Sequence, residues 1–276
     1  MRSATAFISL MVLVGLGLTA HAPVAHAQER EQGKLLQAKQ VLDELRNARD
    51  QTIPERLLDR AYGIAVIPDV TKVALIAGGR RGRGVLVVRD KNGHFTNPIF
   101  ITITGGSIGW QAGVQSTDIV LVFTTREGIE GITDGKLTLG ADASVAAGPV
   151  GRQASASTDA SFTAEVYSYS RNRGLFAGIA LDGSALNIDR GGNGAFYRKS
   201  GVTASDIING DVTTDDDAAK KFMTSVATST RTNQAAAGSS SSTNAPAAPA
   251  TPVSAPPAGG VQTFPMEDPT PGGEPR

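Results

Sequence analysis

The chain of 276 residues contains no cysteine. That excludes disulfides, thiolate zinc sites, iron–sulfur clusters and cysteine nucleophiles. It has little histidine, three residues in all: His21, His26 and His94. Aromatic side chains make up only 5%, and Trp110 is the single tryptophan. No charge sign dominates, with 26 basic and 26 acidic side chains. A balanced charge argues against a wholesale nucleic-acid binder. Hydrophobic residues, at 40%, suffice for a real core.

Long apolar runs are also scarce. The clearest is residues 4–18, behind the basic Arg2. It has signal-peptide length and is short for a membrane span of about 20 residues. Two small-x-small sites follow, Ala20-His21-Ala22 and Ala25-His26-Ala27, and polarity begins at Gln28. The expectation is a signal peptide over 1–27, cleaved after Ala27, which places the mature protein in the periplasm or outside the cell. The competing reading is an uncleaved anchor. Cleavage leaves His94 as the last histidine, so a multi-histidine metal site is excluded. Any Ser–His–acid triad has to use His94.

Leu35, Ala38, Leu42 and Leu45 recur at helical spacing and predict a helix over 29–50. Thr52-Ile53-Pro54-Glu55 reads as a capping box opening a second helix, with Gly63 as its stop. From residue 64 the pattern changes to short apolar runs: 64–67, 73–77, 85–88, 99–104, 110–114 and 119–124. Asn92-Gly93 is a hairpin signal between two of them. A short helix is expected over 125–132, further strands within 137–147, 161–170, 175–181 and 184–188, and a last helix over 215–228. Glycine supplies 23 of residues 63–201, about 17%, against a usual level near 7%. Glycine inside strands marks bulges and close backbone approach. The fold class expected is α+β. Two N-terminal amphipathic helices pack on a strongly curved, glycine-rich, mainly antiparallel sheet, barrel-like in form. Residues 231–276, rich in Ala, Ser and Pro, are expected to be a disordered tail, leaving 28–230 as the domain.

The even net charge hides an asymmetry. Residues 28–100 hold 13 basic against nine acidic side chains, and residues 101–276 hold 12 against 17. The basic excess falls on the first helices and on Lys72, Arg80, Arg81, Arg83, Arg89 and Lys91. Segment 78–84, Gly-Gly-Arg-Arg-Gly-Arg-Gly, reads as a loop whose N–H groups and arginines can hold an anion. A basic helix beside such a loop can meet an anionic membrane. A solvated helix face and a plain hairpin loop explain the same residues.

Other motifs carry little chemistry. Residues 131–136 fail the phosphate-loop pattern, with Glu130 where its first glycine should stand. Residues 105–109 lie between strands rather than before a helix, so a dinucleotide loop is weakly supported. Asp215, Asp216 and Asp217 lack calcium-loop spacing and suit a helix N-terminus. Glu127 and Glu130 read as a solvated pair, His94 as an exposed turn residue, and Trp110 as core or a domain edge. No active site assembles from these, so no enzyme, cofactor or metal is expected.

Several stretches together resemble a known family. They are Ala61-Tyr62-Gly63-Ile64-Ala65-Val66-Ile67-Pro68 with Lys72, then Gly78-Gly79 through Gly84-Val85-Leu86. Next come Gly105-Gly106 with Gly109-Trp110-Gln111 and Gly113, and Thr117-Asp118. Leu137-Thr138-Leu139-Gly140 leads to Ser144 through Gly148-Pro149, Gly151 and Arg152. Tyr167-Ser168-Tyr169-Ser170 and Gly174-Leu175-Phe176-Ala177-Gly178 close the match. Over about residues 57–197 the chain resembles the SYLF domain family, as a bacterial secreted or periplasmic member. The resemblance implies lipid binding, which eukaryotic relatives direct at phosphoinositides through an amphipathic helix and basic residues. Fungal relatives also bind actin. Behind a signal peptide, actin is not expected as a ligand, and anionic phospholipid replaces phosphoinositide. The expected function is non-enzymatic binding of anionic phospholipid in the cell envelope. The candidate contacts are Lys34, Lys39, Lys72, Arg80, Arg81 and Arg83. The alternative is an envelope protein–protein interaction module with a protein partner and no lipid preference.

Overall fold

The computed structural model describes residues 22–47, 53–74, 77–108, 113–133, 135–150, 163–172 and 175–230. The apolar run 4–18, Thr52, Trp110, Arg152 and the expected tail lie outside these residues.

Helix α1 spans Ala22–Asn47, and a single-turn helix α2 spans Glu55–Asp59. Four long strands follow: β1 Gly63–Ala74, β2 Ala77–Val88, β3 Ile99–Ile108 and β4 Gly113–Phe123. After them come α3 Glu127–Thr133, β5 Lys136–Thr138, β6 Val145–Ala147, β7 Val166–Asn172, β8 Leu175–Gly178 and β9 Ala185–Ile188. Helices α4 Arg190–Phe196, α5 Ala204–Ile208 and α6 Asp217–Thr230 complete the described chain. No described helix is long and apolar enough to cross a membrane.

The strands form one sheet in the order β5-β9-β3-β2-β1-β4-β7-β6, with β8 on β7. Seven pairings are antiparallel, and β6–β7 is parallel. The sheet is strongly curved and stops as a half-barrel. The expected α+β class with a curved, mainly antiparallel sheet therefore holds.

Successive strand residues point to opposite faces. Ile64, Val66, Val85, Val87, Val120 and Val122 pack on one face with Leu35, Ala38, Leu42 and Leu45 of α1 and Phe222 and Val226 of α6. Ala65, Ile67, Leu86, Ile101, Ile103, Ile119 and Leu121 pack on the other with Ile129, Ile132, Leu186 and Ile207. Burial on both faces explains why these strands read as unbroken apolar runs rather than as alternating ones.

The expected loop at 78–84 is strand. Its residues pair with β3 along their whole length, and Gly79, Arg80 and Arg81 pair also with β1. Glycine serves close approach here, because the β1 register shifts between Val66 and Thr71 and carries β1 against β2. A Cβ at Gly84 would stand 2.4 Å from the Val66 carbonyl oxygen, and one at Gly82 2.7 Å from Val70 Cγ2. Runs 64–67 and 73–77 are likewise mostly one strand, and Gly63 opens it rather than stopping a helix. Pro54, not Thr52, flanks α2, and no side-chain cap bond is made there. The 92–93 turn is present, with Gly93 at φ 81°. The aspartate reading also holds, since Asp216 Oδ1 accepts from the N–H groups of Ala218 and Ala219 at the start of α6.

Helices α4 and α5 were not expected. Helix α4 has three glycines in seven residues and is fixed by its neighbours. The Asp189 carboxylate accepts from Gly192 N–H, and buried Asn193 bonds both the N–H and the carbonyl of Phe100, at 2.9 and 3.0 Å. Thr203 and Asp206 form a capping box on α5.

Candidate functional site

The six candidate cations fall into two groups. Strand parity sets Arg81 and Arg83 on the α1 face of β2, and Arg80 on the opposite face.

On the α1 face Arg83 is engaged. Arg83 Nη2 donates to Glu31 Oε1 at 2.8 Å, and its Nε to Asp189 Oδ2 at 2.8 Å. Glu31 is 1% exposed. Burial alone would weaken the guanidinium's hold on its proton, but the bond to Asp189 and the charges of Glu31 and Asp189 outweigh it, and its pKa is raised. Gly192 makes room, for a Cβ there would stand 3.0 Å from Arg83 Nη2. Arg171 of β7 builds a second anchor. It bonds Asp118 Oδ2 through Nε at 2.7 Å and also pairs with Glu44 of α1. Both anchors tie α1 to the sheet.

Two lysines of α1 belong to the same layer. Lys34 is half-buried, and burial lowers its pKa against the pull of Asp69. Lys39 pairs with Asp43, whose other oxygen accepts from Ser225 of α6. The apolar stripe of α1 is used up in the core, with Leu35, Ala38, Leu42 and Leu45 at most 2% exposed. That stripe faces into the domain, while Leu36 on the same helix is 45% exposed.

Lys72, Arg80 and Arg81 form the second group, toward the end of the sheet where β1 and β3 finish and β2 and β4 begin. Lys72 and Arg81 are exposed, and Arg80 is half-buried. Burial lowers the Arg80 pKa, with no opposing carboxylate. Lys72 stands directly opposite Arg80 in the β1–β2 pairing. At the same end, Val73 pairs with Val114 across β1 and β4, 46% and 72% exposed. The sequence patterns marked both valines as strand residues but carried no sign that their partners run out at this end. Nor did they mark Ser184, Glu31, Asp189 or Arg171.

Elsewhere, a groove of about 390 Å³ lies between Tyr62, Arg126, Glu130, Thr133, Ser205 and Asn209. Its two charged groups, Arg126 and Glu130, pair with each other at 3.3 Å. His94 is exposed in the β2–β3 turn.

Residues 104–229 match the model of the Ysc84 family, described as "Las17-binding protein actin regulator". The chain is 39% identical over 164 residues to LAS seventeen-binding protein 3 of Saccharomyces cerevisiae, covering 58% of this chain and 35% of that protein. It is 39% identical over 166 residues to Protein YSC84 of the same yeast, covering 59% and 35%. It is 34% identical over 169 residues to SH3 domain-containing YSC84-like protein 1 of Bos taurus, covering 61% and 49%. The matched region thus spans about a third to a half of these relatives' length. The family description speaks of actin regulation, which weighs against the expectation that actin is not a ligand.

Proposed function

The chain belongs to the Ysc84 (SYLF) domain family, and from that premise we propose that it binds anionic phospholipid at a membrane surface without catalysing a reaction. One observation carries the reading: the exposed Val73–Val114 pair stands at the same sheet end as exposed Lys72 and Arg81. Apolar side chains that can enter the acyl boundary, flanked by cations that can meet phosphate, suit an interfacial contact. Each such cation near an anionic surface contributes about 1 kcal/mol. The contact is made by this sheet end, and α1 acts as its structural support.

Cosedimentation with phosphatidylcholine vesicles, with and without phosphatidylglycerol, tests the reading. The expected result is binding that needs the anionic lipid and weakens as salt rises. The double variant Lys72→Glu/Arg81→Glu should lose about tenfold or more in affinity, because each reversal removes an attraction and adds a repulsion. Equal binding to both vesicle types, or none to either, overturns it. Capture of a Las17-like or actin partner with no vesicle binding would favour the protein-interaction reading that the relatives' names support.

We also infer that residues 1–27 are a leader and that the domain acts in the cell envelope. The support is the apolar run 4–18 and the Ala25-His26-Ala27 site. Cleavage there would trim the first turns of α1 and leave Glu31 and the apolar stripe in place. N-terminal sequencing of the exported protein should begin at Gln28; a chain starting at Met1 overturns this.

A further inference from the structure

One row of residues crosses the sheet near its Val73–Val114 end. Gln115 of β4 pairs with Lys72 of β1, Lys72 with Arg80 of β2, and Arg80 with Gly105 of β3. Thr104 pairs with Ala185 of β9, so Ser184 follows beside Gly105. Residues paired directly across strands share a face. The row therefore sets an amide, an ammonium, a guanidinium and a hydroxyl along one surface, with glycine in the gap between the last two. The point where a Cβ on Gly105 would stand is 2.7 Å from Ser184 Oγ and 3.3 Å from Arg80 Cγ.

The row has unmet needs. Lys72 and Arg80 are like charges directly opposite each other, a destabilising arrangement. Ser184 is 1% exposed, and its Oγ has no hydrogen-bond partner. Arg80 Nε is buried and also without one, and these two are the sole such side-chain atoms among the described residues. A buried donor left without a partner is costly. A tetrahedral oxyanion would accept from Nε and Oγ together and would neutralise the Lys72–Arg80 repulsion.

We propose that Arg80, Ser184 and Lys72 form a binding site for a tetrahedral oxyanion, a phosphate carried on a lipid headgroup or free in solution. The lipid source rests on the function proposed above, whereas the oxyanion chemistry does not. Gly105 is the residue that leaves the space, and Arg81, on the opposite face, takes no part.

The full chain would be titrated with inorganic phosphate and followed by backbone amide NMR, beside the vesicle assay. Phosphate should shift the amides of Arg80, Gly105 and Ser184. Arg80→Met should weaken phosphate binding by about tenfold or more, the scale of one charge-assisted hydrogen bond. Ser184→Ala and Lys72→Met should weaken it less, and Lys91→Gln, in the exposed β2–β3 turn, should leave it unchanged. If Arg80→Met also loses vesicle binding, the source is a headgroup. If it loses phosphate alone, the source is free phosphate, and the membrane reading stands on Val73, Val114 and Arg81. Phosphate binding at the row without any vesicle binding upholds the site and sinks the lipid function. Shifts scattered over exposed lysines, or unchanged by Arg80→Met, overturn the site.

Discussion

Arg80 and Arg83 stand three residues apart on one strand and live in opposite circumstances. Arg83 reaches the α1 face and meets two carboxylates, one of them from the buried Glu31. Arg80 reaches the other face, meets Lys72 across the strand, and keeps an Nε with no partner. The difference teaches that a basic run is not a surface property of its segment. Once the segment is a strand, parity divides its cations between two faces, and the partners they find differ: Arg83 meets carboxylates, whereas Arg80 meets Lys72. Binding capacity follows the partners each face supplies, not the local count of arginines.

That contrast gives the largest expected effect. Arg83→Met leaves Glu31 and Asp189 without their shared cation, and urea denaturation should show a loss of about 3 kcal/mol, as when one partner of a buried pair is removed. Arg80→Met should move stability the other way, by up to about 1 kcal/mol, since it removes a partly buried donor that nothing satisfies. The gain is small because solvent partly screens the half-buried Arg80 guanidinium. Equal losses at both positions would break the comparison, for Arg80 would then have a structural partner. A gain at Arg80 joined to weaker phosphate binding would sharpen it, showing stability given up for a site.

The same contrast explains what the sequence made legible. Runs such as 64–67, 85–88 and 119–124 announced strands because both faces of the sheet are buried, and continuous apolar character is a local signal. The 78–84 segment misled because glycine usually signals a turn, whereas Gly82 and Gly84 are needed where β1 presses on β2. That requirement comes from another strand and leaves no local trace. Helix α4 was illegible for a like reason: Asn193 holds it to Phe100, 93 residues away. Within the candidate site, Lys72, Arg80 and Arg81 were readable as cations. The sorting of Arg83 from Arg80 was not, because Asp189 and Glu31 lie 106 and 52 residues away in the chain. Ser184 has no motif at all and gains meaning only through the β3–β9 pairing.

Lys34 supplies the finest test, because it is a cation on the engaged face without a close ion pair of its own among the described residues. Its pKa lies below the ordinary 10.5, with burial as the main cause. The charged form is therefore disfavoured by folding. At neutral pH, below the shifted range, that cost is present, and Lys34→Met should raise stability by no more than about 0.5 kcal/mol, since solvent screens the half-exposed ammonium. As pH climbs through the folded pKa toward 10.5, the native state sheds its proton first, and stability of the unsubstituted chain rises relative to the variant. The advantage of Lys34→Met should therefore shrink with increasing pH, which paired denaturation curves at neutral and alkaline pH would measure. Vesicle binding should stay where it was. A constant advantage at all pH values would mean that methionine packs better and that the charge is irrelevant. A loss of vesicle binding would return Lys34 to the membrane contact and undo the division between the two faces.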